Sequence, residues 1–244
     1  MRIAWTRDEL IAVLKLYCRT PFGRLHSRNP EIIQLASEIG RSPGAVALKA
    51  VNFASLDPTI ERKGMSNAST LDRKVWNDFF GNMETFLAQS EPTYKERGLR
   101  DRQPEEYDLA LPDGVDVHRI SKTRRNQWFF REMVLASYDC KCAISGIQET
   151  ALLTASHIVP WSADPTTRIN PRNGICLNAL HDRAFDRGLI SFGDDLELIY
   201  SPALCSNVRE KIESLGGNKL NPPSRFRPEP RFLEYHRTNV FRNN

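Results

Sequence analysis

Residues 154–161 read Thr-Ala-Ser-His-Ile-Val-Pro-Trp, residues 170–177 read Asn-Pro-Arg-Asn-Gly-Ile-Cys-Leu, and residues 180–188 read Leu-His-Asp-Arg-Ala-Phe-Asp-Arg-Gly. The stretch that leads into His157 is apolar and β-branched, which favours a strand, and Pro160 prevents it from continuing as a central strand. The Asn-Gly pair of the second string indicates a turn, and the apolar residues after it predict a second short strand.

The third string predicts a helix. Leu180 and Ala184 recur at helical spacing, and Gly188 suits the end of a helix because glycine readily adopts the left-handed conformation of a C-terminal cap. The three strings together predict a β-hairpin packed on a helix. This unit brings His157, at the end of the first strand, close to His181, at the start of the helix.

The order of these residues resembles the HNH, or ββα-metal, nucleases. In that family a histidine, an asparagine and a second histidine follow one another, as His157, Asn173 and His181 do here. The wider strings, and the ending of the chain, are similar to the branch found in predicted bacterial restriction endonucleases, over about residues 126–244. The resemblance implies an α+β fold whose C-terminal part is a ββα-metal HNH nuclease domain.

The resemblance also implies a mechanism. Hydrolysis of a DNA phosphodiester by water needs a base, and positive charge at the phosphate and the departing oxygen. By resemblance, His157 is the base, Asn173 orients the loop and this histidine, and His181 is a ligand of one divalent metal ion, Mg²⁺ or Mn²⁺. A neutral imidazole suits the role of a base near neutral pH.

The sequence departs from the family pattern at Ser156. Many family members carry Asp or His directly before the base as a second metal ligand, and a neutral hydroxyl is a poor ligand for a hard cation. Asp186 is the candidate that charge favours as the second ligand. It lies five residues beyond His181, however, and so points about 140° away from His181 around an ideal helix. Asp182 and water remain alternatives for the missing ligand.

The cysteines argue against a structural zinc site. Many HNH proteins bind zinc through two Cys-x-x-Cys pairs, whereas this chain has Cys140-Lys-Cys142 and no second pair. Buried thiols in a reducing compartment are the simpler interpretation of the five cysteines, which are odd in number and scattered.

The N-terminal region predicts a helical domain. Capping signals start helices near Thr6, Asn29-Pro30 and Ser42-Pro43, and a further helix is predicted over residues 70–89. The second and third helices are joined by Gly40-Arg-Ser42, which resembles a helix-turn-helix. Such a helix would offer these side chains to DNA: Arg41, Ser42, Lys49 and Asn52. A plain helical scaffold with a solvated surface remains the alternative.

The composition of the chain predicts two domains joined by a linker. Residues 91–125 are rich in proline, glycine and charges of both signs, which predicts a linker between a helical domain at residues 1–90 and the nuclease domain at residues 126–244. Basic residues gather where the linker meets the nuclease region, and Arg124 and Arg125 are candidate contacts to the phosphate backbone. The formal net charge of +4 permits nucleic acid binding without requiring it.

These features favour a metal-dependent DNA endonuclease of the restriction type, dependent on a sequence or on a modified cytosine. Its partner would be double-stranded DNA, with or without methylated or hydroxymethylated cytosine, and a homodimer follows if one HNH site cuts one strand. A toxin or mobile-element nuclease, and a DNA-binding regulator with an inactive HNH domain, are the alternatives. The chain lacks a long apolar run and its start lacks the apolar core of a signal peptide, so we expect no membrane contact and a bacterial cytoplasmic location.

Overall fold

The computed structural model describes residues 4–60, 67–90 and 117–243, and for residues 117–125 it describes the backbone only. Most of the predicted linker therefore lies outside the described residues, as do the side chains of Arg124 and Arg125. In the described part, helices are combined with two small antiparallel sheets. This confirms the α+β fold class, whereas the likeness of the N-terminal region to a helix-turn-helix stays a prediction.

Three helices open the described chain: α1 (Arg7–Arg19), α2 (Pro30–Glu38) and α3 (Pro43–Ala54). Each begins where its capping residue predicts. The Thr6 hydroxyl accepts a hydrogen bond from the Glu9 backbone N–H, and the Glu9 carboxylate accepts one from the Thr6 backbone N–H. These bonds pair donors at the helix start that would otherwise lack partners.

The helix predicted over residues 70–89 is in fact two helices, α4 (Thr70–Gly81) and α5 (Met83–Gln89). Asn82 separates them with a non-helical backbone at φ −154° and ψ 83°. Its side chain accepts a hydrogen bond from the Thr85 backbone N–H and so caps the second helix. The apolar pattern alone could not show this break, because asparagine is tolerated within a helix and is also a strong cap.

The HNH-like region is built on helix α6 (Val117–Ser137), which starts earlier than predicted and includes the last part of the predicted linker. Strands β1 (Leu153–His157) and β2 (Gly174–Asn178) form the antiparallel hairpin. Helix α7 (Ala179–Asp186) follows directly and packs against both strands. The predicted order of two strands and a helix is confirmed, and His157 pairs with Gly174 where the hairpin opens.

A second hairpin and two helices complete the C-terminal part. Strands β3 (Ile190–Phe192) and β4 (Leu198–Tyr200) pair antiparallel, and helices α8 (Ser206–Ser214) and α9 (Pro230–Asn239) follow. Helix α9 packs on β3 and fixes one wall of the region described below. Within the described ranges, no helix combines the length and the apolar character needed to cross a membrane.

The two predicted domains share one hydrophobic core. Helix α1 packs against α6, which also supports the β1–β2 hairpin. The guanidinium of Arg225, which is fully buried, donates to the carbonyl oxygens of Tyr17 at 2.6 Å and Thr20 at 2.6 Å, at the C-terminal end of α1. A cation is favoured at that end because the last carbonyls of a helix lack partners. The predicted boundary at residue 126 therefore lies inside a helix that packs on both parts.

Candidate active site

An open cleft of about 460 Å³ lies between the end of β1, the loop after it and helix α7. It is lined by residues from these elements, from α9 and from the residues that directly follow α7 and α9: Thr154, Ala155, Ser156, His157, Ile158, Pro160, Trp161, Asp182, Arg183, Asp186, Arg187, His236 and Val240. Three of the residues that the sequence singled out, Ser156, His157 and Asp186, are thus brought together.

The hydrogen bonding of His157 shows which of its two ring nitrogens carries the proton. Its Nε2 lies 2.9 Å from the carbonyl oxygen of Arg168. A carbonyl oxygen can only accept, so Nε2 carries the proton and Nδ1 of the neutral ring keeps its lone pair. Burial lowers the pKa of His157 below its usual value, although the bond to Arg168 opposes this shift. The ring is therefore neutral near pH 7, with Nδ1 able to accept a proton.

Aromatic rings fix the orientation of His157. The ring of Phe130, on α6, stacks on the imidazole with centroids 3.9 Å apart and planes 13° apart, and Trp161 meets it edge-on at 5.5 Å. Phe130 is held in turn by the start of β2. A Cβ at Gly174 would lie 2.4 Å from Val134 Cγ2 and 2.8 Å from Phe130 Cζ, so only glycine allows this close approach.

Asn173 holds the loop that follows the histidine. Its Oδ1 accepts a hydrogen bond from the Val159 backbone N–H at 2.8 Å, and its Nδ2 donates to the carbonyl oxygens of Val159 at 3.2 Å and Thr167 at 3.3 Å. The side chain is fully buried, where an unmade hydrogen bond is costly. Asn173 thus ties both ends of the loop whose Arg168 carbonyl contacts His157. The predicted turn is a short 3-10 turn, Pro171–Asn173, and Gly174 begins β2 in an extended conformation.

Two carboxylates of α7 share one face of that helix. Asp182 and Asp186 are four residues apart, so their side chains lie one turn apart and both line the cleft. The Ser156 hydroxyl donates a short hydrogen bond to Asp182 Oδ1. Burial raises the pKa of Asp182. Burial and the neighbouring charge of Asp182 raise the pKa of Asp186 to about 6. Two acids in such a position attract a cation because it relieves their repulsion.

His181 lies on a different face of α7. It is fully buried, is absent from the lining of the cleft, and its Nδ1 is 3.5 Å from Cys142 Sγ. Burial raises the pKa of the Cys142 thiol, but hydrogen bonds with His181 and Ser145 outweigh this and lower it to about 6. The structure does not bring His181 together with Ser156 and Asp186, so its assignment as a metal ligand stays a prediction that this geometry does not favour.

The residues expected to read DNA from α3 are engaged within the protein. The guanidinium of Arg41 pairs with the Glu9 carboxylate at 2.8 Å, and Ser42 caps α3. Lys49 is buried against Asp72, with Nζ 3.0 Å and 3.1 Å from its two carboxylate oxygens, and Asn52 is also buried. The sequence predicted that these side chains face DNA. Lys49 and Asn52 are buried instead, and DNA contact by Arg41 and Ser42 stays a prediction.

Sequence reasoning missed several residues of the site. The cleft includes Trp161, Arg183 and Arg187, and Phe130 supports its histidine, yet none was assigned a role. Asp182 was only an alternative ligand. The spacing of four residues between Asp182 and Asp186 was the available signal, because such pairs share a helix face.

His236 forms a buried part of the cleft wall. Its Nε2 donates to the Phe185 carbonyl oxygen at 3.2 Å, its Nδ1 accepts from the Ser191 hydroxyl at 2.9 Å, and its ring stacks on Phe185 at 3.8 Å. Burial lowers the pKa of His236 from 6.5 to about 4, an effect that the bond to Phe185 opposes. The unfolded chain therefore binds this proton more tightly than the folded protein does.

We expect His236 to make the protein less stable in mild acid. Because the folded pKa lies below the unfolded one, its contribution is complete above about pH 6.5 and is lost as the pH falls towards about 4. From about pH 7.5 to about pH 5 the loss is about 2 kcal/mol. Urea unfolding at both pH values checks this. The His236→Gln variant should show a weaker pH dependence by this amount, and equal dependence in both proteins would contradict the assignment.

A known family matches the region that contains this site. Residues 142–193 match the family model described as HNH endonuclease, a span that includes β1, β2 and α7. No curated protein matched the chain. Among the described residues, no group of three or more His, Cys, Asp and Glu side chains is arranged to hold a metal ion. Residues 142–193 are thus similar to the HNH endonuclease domain, a domain found in nucleases.

Proposed function

We propose that this protein is a metal-dependent DNA endonuclease in which His157 is the general base. The observation that carries the proposal is the environment of the His157 ring. The ring is neutral, its Nε2 donates to the Arg168 carbonyl and leaves Nδ1 to accept a proton, and His157 shares a cleft with Asp182 and Asp186. An HNH domain supports cleavage of nucleic acid, with DNA as the implied substrate. The family assignment and the geometry thus support the same reaction.

The residues present fit a hard divalent cation. Mg²⁺ is commonly held by one or two carboxylates with several waters, and Mn²⁺ accepts similar oxygen ligands. Asp182 and Asp186 would supply these carboxylates. Ser156 would act mainly by holding Asp182 through its hydroxyl, as outer partners of metal ligands commonly do. This assignment places both carboxylates on α7 and leaves His181 as a buried partner of Cys142.

The reaction follows from the chemistry of these side chains. Nδ1 of His157 takes a proton from the attacking water, and the ring becomes positively charged. The Arg168 carbonyl stabilises that charge, since a hydrogen bond from a charged donor is stronger than one from a neutral donor. Asn173 keeps the carbonyl in place by tying the loop on both sides. When bound, the cation supplies positive charge for the phosphate and the departing 3′ oxygen.

We further propose a restriction role on double-stranded DNA. A single site cleaves one strand, so a double-strand break requires a homodimer or two successive nicks. The chain's N-terminal helices would contribute to recognition through surfaces other than the buried Lys49 and Asn52. Light scattering with and without DNA tests the homodimer, and a strict monomer in both conditions would count against it.

The experiment that tests the function offers one plasmid in three forms: unmodified, cytosine-methylated and cytosine-hydroxymethylated. We expect cutting with Mg²⁺ or Mn²⁺ and no cutting with EDTA, because the reaction needs the cation that the carboxylate pair would hold. A preference among the three forms would identify modification-dependent restriction. DNA binding without cutting of any form would instead support a regulator with an inactive HNH domain.

A further inference from the structure

Helix α7 and its C-cap residue, Arg187, present two kinds of charge to the cleft. Asp182 and Asp186 form one row, and Arg183 and Arg187 form a second row directly beside it. Each row contains residues four positions apart, so its two side chains are about 6 Å apart along the helix axis. Both arginines are exposed. The acidic row has a proposed role at the metal, whereas the basic row has none in the chemistry described above.

The two cleft arginines differ from other arginines of the protein in their contacts. Arg41 is paired with Glu9, Arg237 with Asp194, and Arg225 with helix carbonyls. Across residues 4–60, 67–90 and 126–243, neither Arg183 nor Arg187 has a hydrogen bond or a close ion pair from its guanidinium. Their charges influence the pKa of Asp186 only across a longer separation.

This arrangement suits an anionic ligand that enters from solvent. A guanidinium is planar, always charged and able to donate two parallel hydrogen bonds to a phosphate. Two such groups beside the general base would hold the backbone of a strand in the orientation that in-line attack requires. The acids of the neighbouring row would not hold that strand without a cation, because they repel phosphate.

We propose that Arg183 and Arg187 bind the phosphate backbone of the DNA strand that enters the cleft, each contacting one phosphate. The proposal rests on the proposed function for its ligand, but it concerns binding and not cleavage. Phosphate contacts carry no sequence information, so both residues should act on every sequence to a similar extent. Recognition of a sequence or a modification must then come from other residues.

The test is the salt dependence of DNA binding in EDTA, where cleavage does not occur. A labelled duplex is titrated between about 50 and about 200 mM salt. For duplex DNA, the slope of log affinity against log salt becomes shallower by about 0.9 for each phosphate that the protein no longer neutralises. We expect this change in Arg183→Gln and in Arg187→Gln, and about twice the change in the double variant. The corresponding lysine variants keep the charge and should keep the slope.

The matched control is Arg209→Gln, on α8 outside the cleft, where the guanidinium pairs with Glu213. Its slope should equal that of the wild type. Slopes unchanged in the Arg183 and Arg187 variants, or an equal change in the Arg209 variant, would overturn the proposal, as would a wild-type protein that does not bind DNA. A protein that binds DNA with the expected slopes but never cuts it would contradict the proposed function and leave these contacts standing.

Discussion

Replacing His157 with alanine is expected to lower the rate of DNA cleavage by about 10²- to 10⁴-fold, the usual contribution of a general base. The variant lacks the Nδ1 that would accept the proton of the attacking water. Binding should change little, because the ring lies between Phe130 and Trp161 and has no charge near neutral pH. Single-turnover cleavage and DNA affinity, measured on the same duplex, separate the two effects.

The control for this variant is His26→Ala, since His26 is exposed and lies outside the cleft. Cleavage by the control should equal that of the wild type. An Asn variant at position 157 adds a further comparison, because an amide has a similar shape but cannot accept a proton near pH 7. If the Asn or Ala variant cleaved DNA at the wild-type rate, another group would have to be the base.

The second large effect is expected in the double variant Asp182→Asn, Asp186→Asn. Both carboxylates that would hold the cation lose their charge, so Mn²⁺ affinity should fall by more than about a hundredfold, the upper range seen when only an outer partner of a ligand is removed. Calorimetric titration of Mn²⁺ without DNA measures this directly. The thermal stabilisation that Mn²⁺ gives the wild type should also disappear.

The thermal stability of the metal-free double variant shows whether the loss of Mn²⁺ affinity is specific or results from misfolding. Burial and the neighbouring charge of Asp182 raise the pKa of Asp186, and neutral amides remove both costs. The metal-free variant should therefore unfold at the same temperature as the wild type or higher. Asp195→Asn, in an exposed turn, is the control and should bind Mn²⁺ normally. The His181→Asn variant tests whether His181 is a metal ligand. A folded variant that has lost Mn²⁺ affinity would support His181 as a ligand, as the family resemblance implies.

The central unit of the fold could be predicted because its signals are local. Strand, turn and helix patterns between residues 153 and 186 depend on neighbours in sequence, and the order of His157, Asn173 and His181 carried the resemblance. The sequence predicted less well which side chains of α7 face the cleft. The sequence analysis placed Asp186 relative to His181, whereas in the structure Asp182 and Asp186 line the cleft and His181 is buried; which of them bind a metal stays a prediction.

The remaining misses depend on contacts between distant residues. Lys49 was predicted to face DNA, and only the packing of α4 shows that it is buried as an ion pair with Asp72. Arg225 lay in a loop without an assigned role, yet it reaches Tyr17, a residue 208 positions earlier in the chain. Neither pairing leaves a pattern in a single sequence, because a charged residue at the surface and one in a buried pair have the same local neighbours.

The most direct measurement is nicking of supercoiled plasmid by the wild type and by His157→Ala, each with Mn²⁺ and with EDTA. We expect nicked circles only for the wild type with Mn²⁺, because the base and the cation are both required. Equal nicking by both proteins, or nicking by the wild type in EDTA, would contradict the assignment of the base or of the cation, respectively.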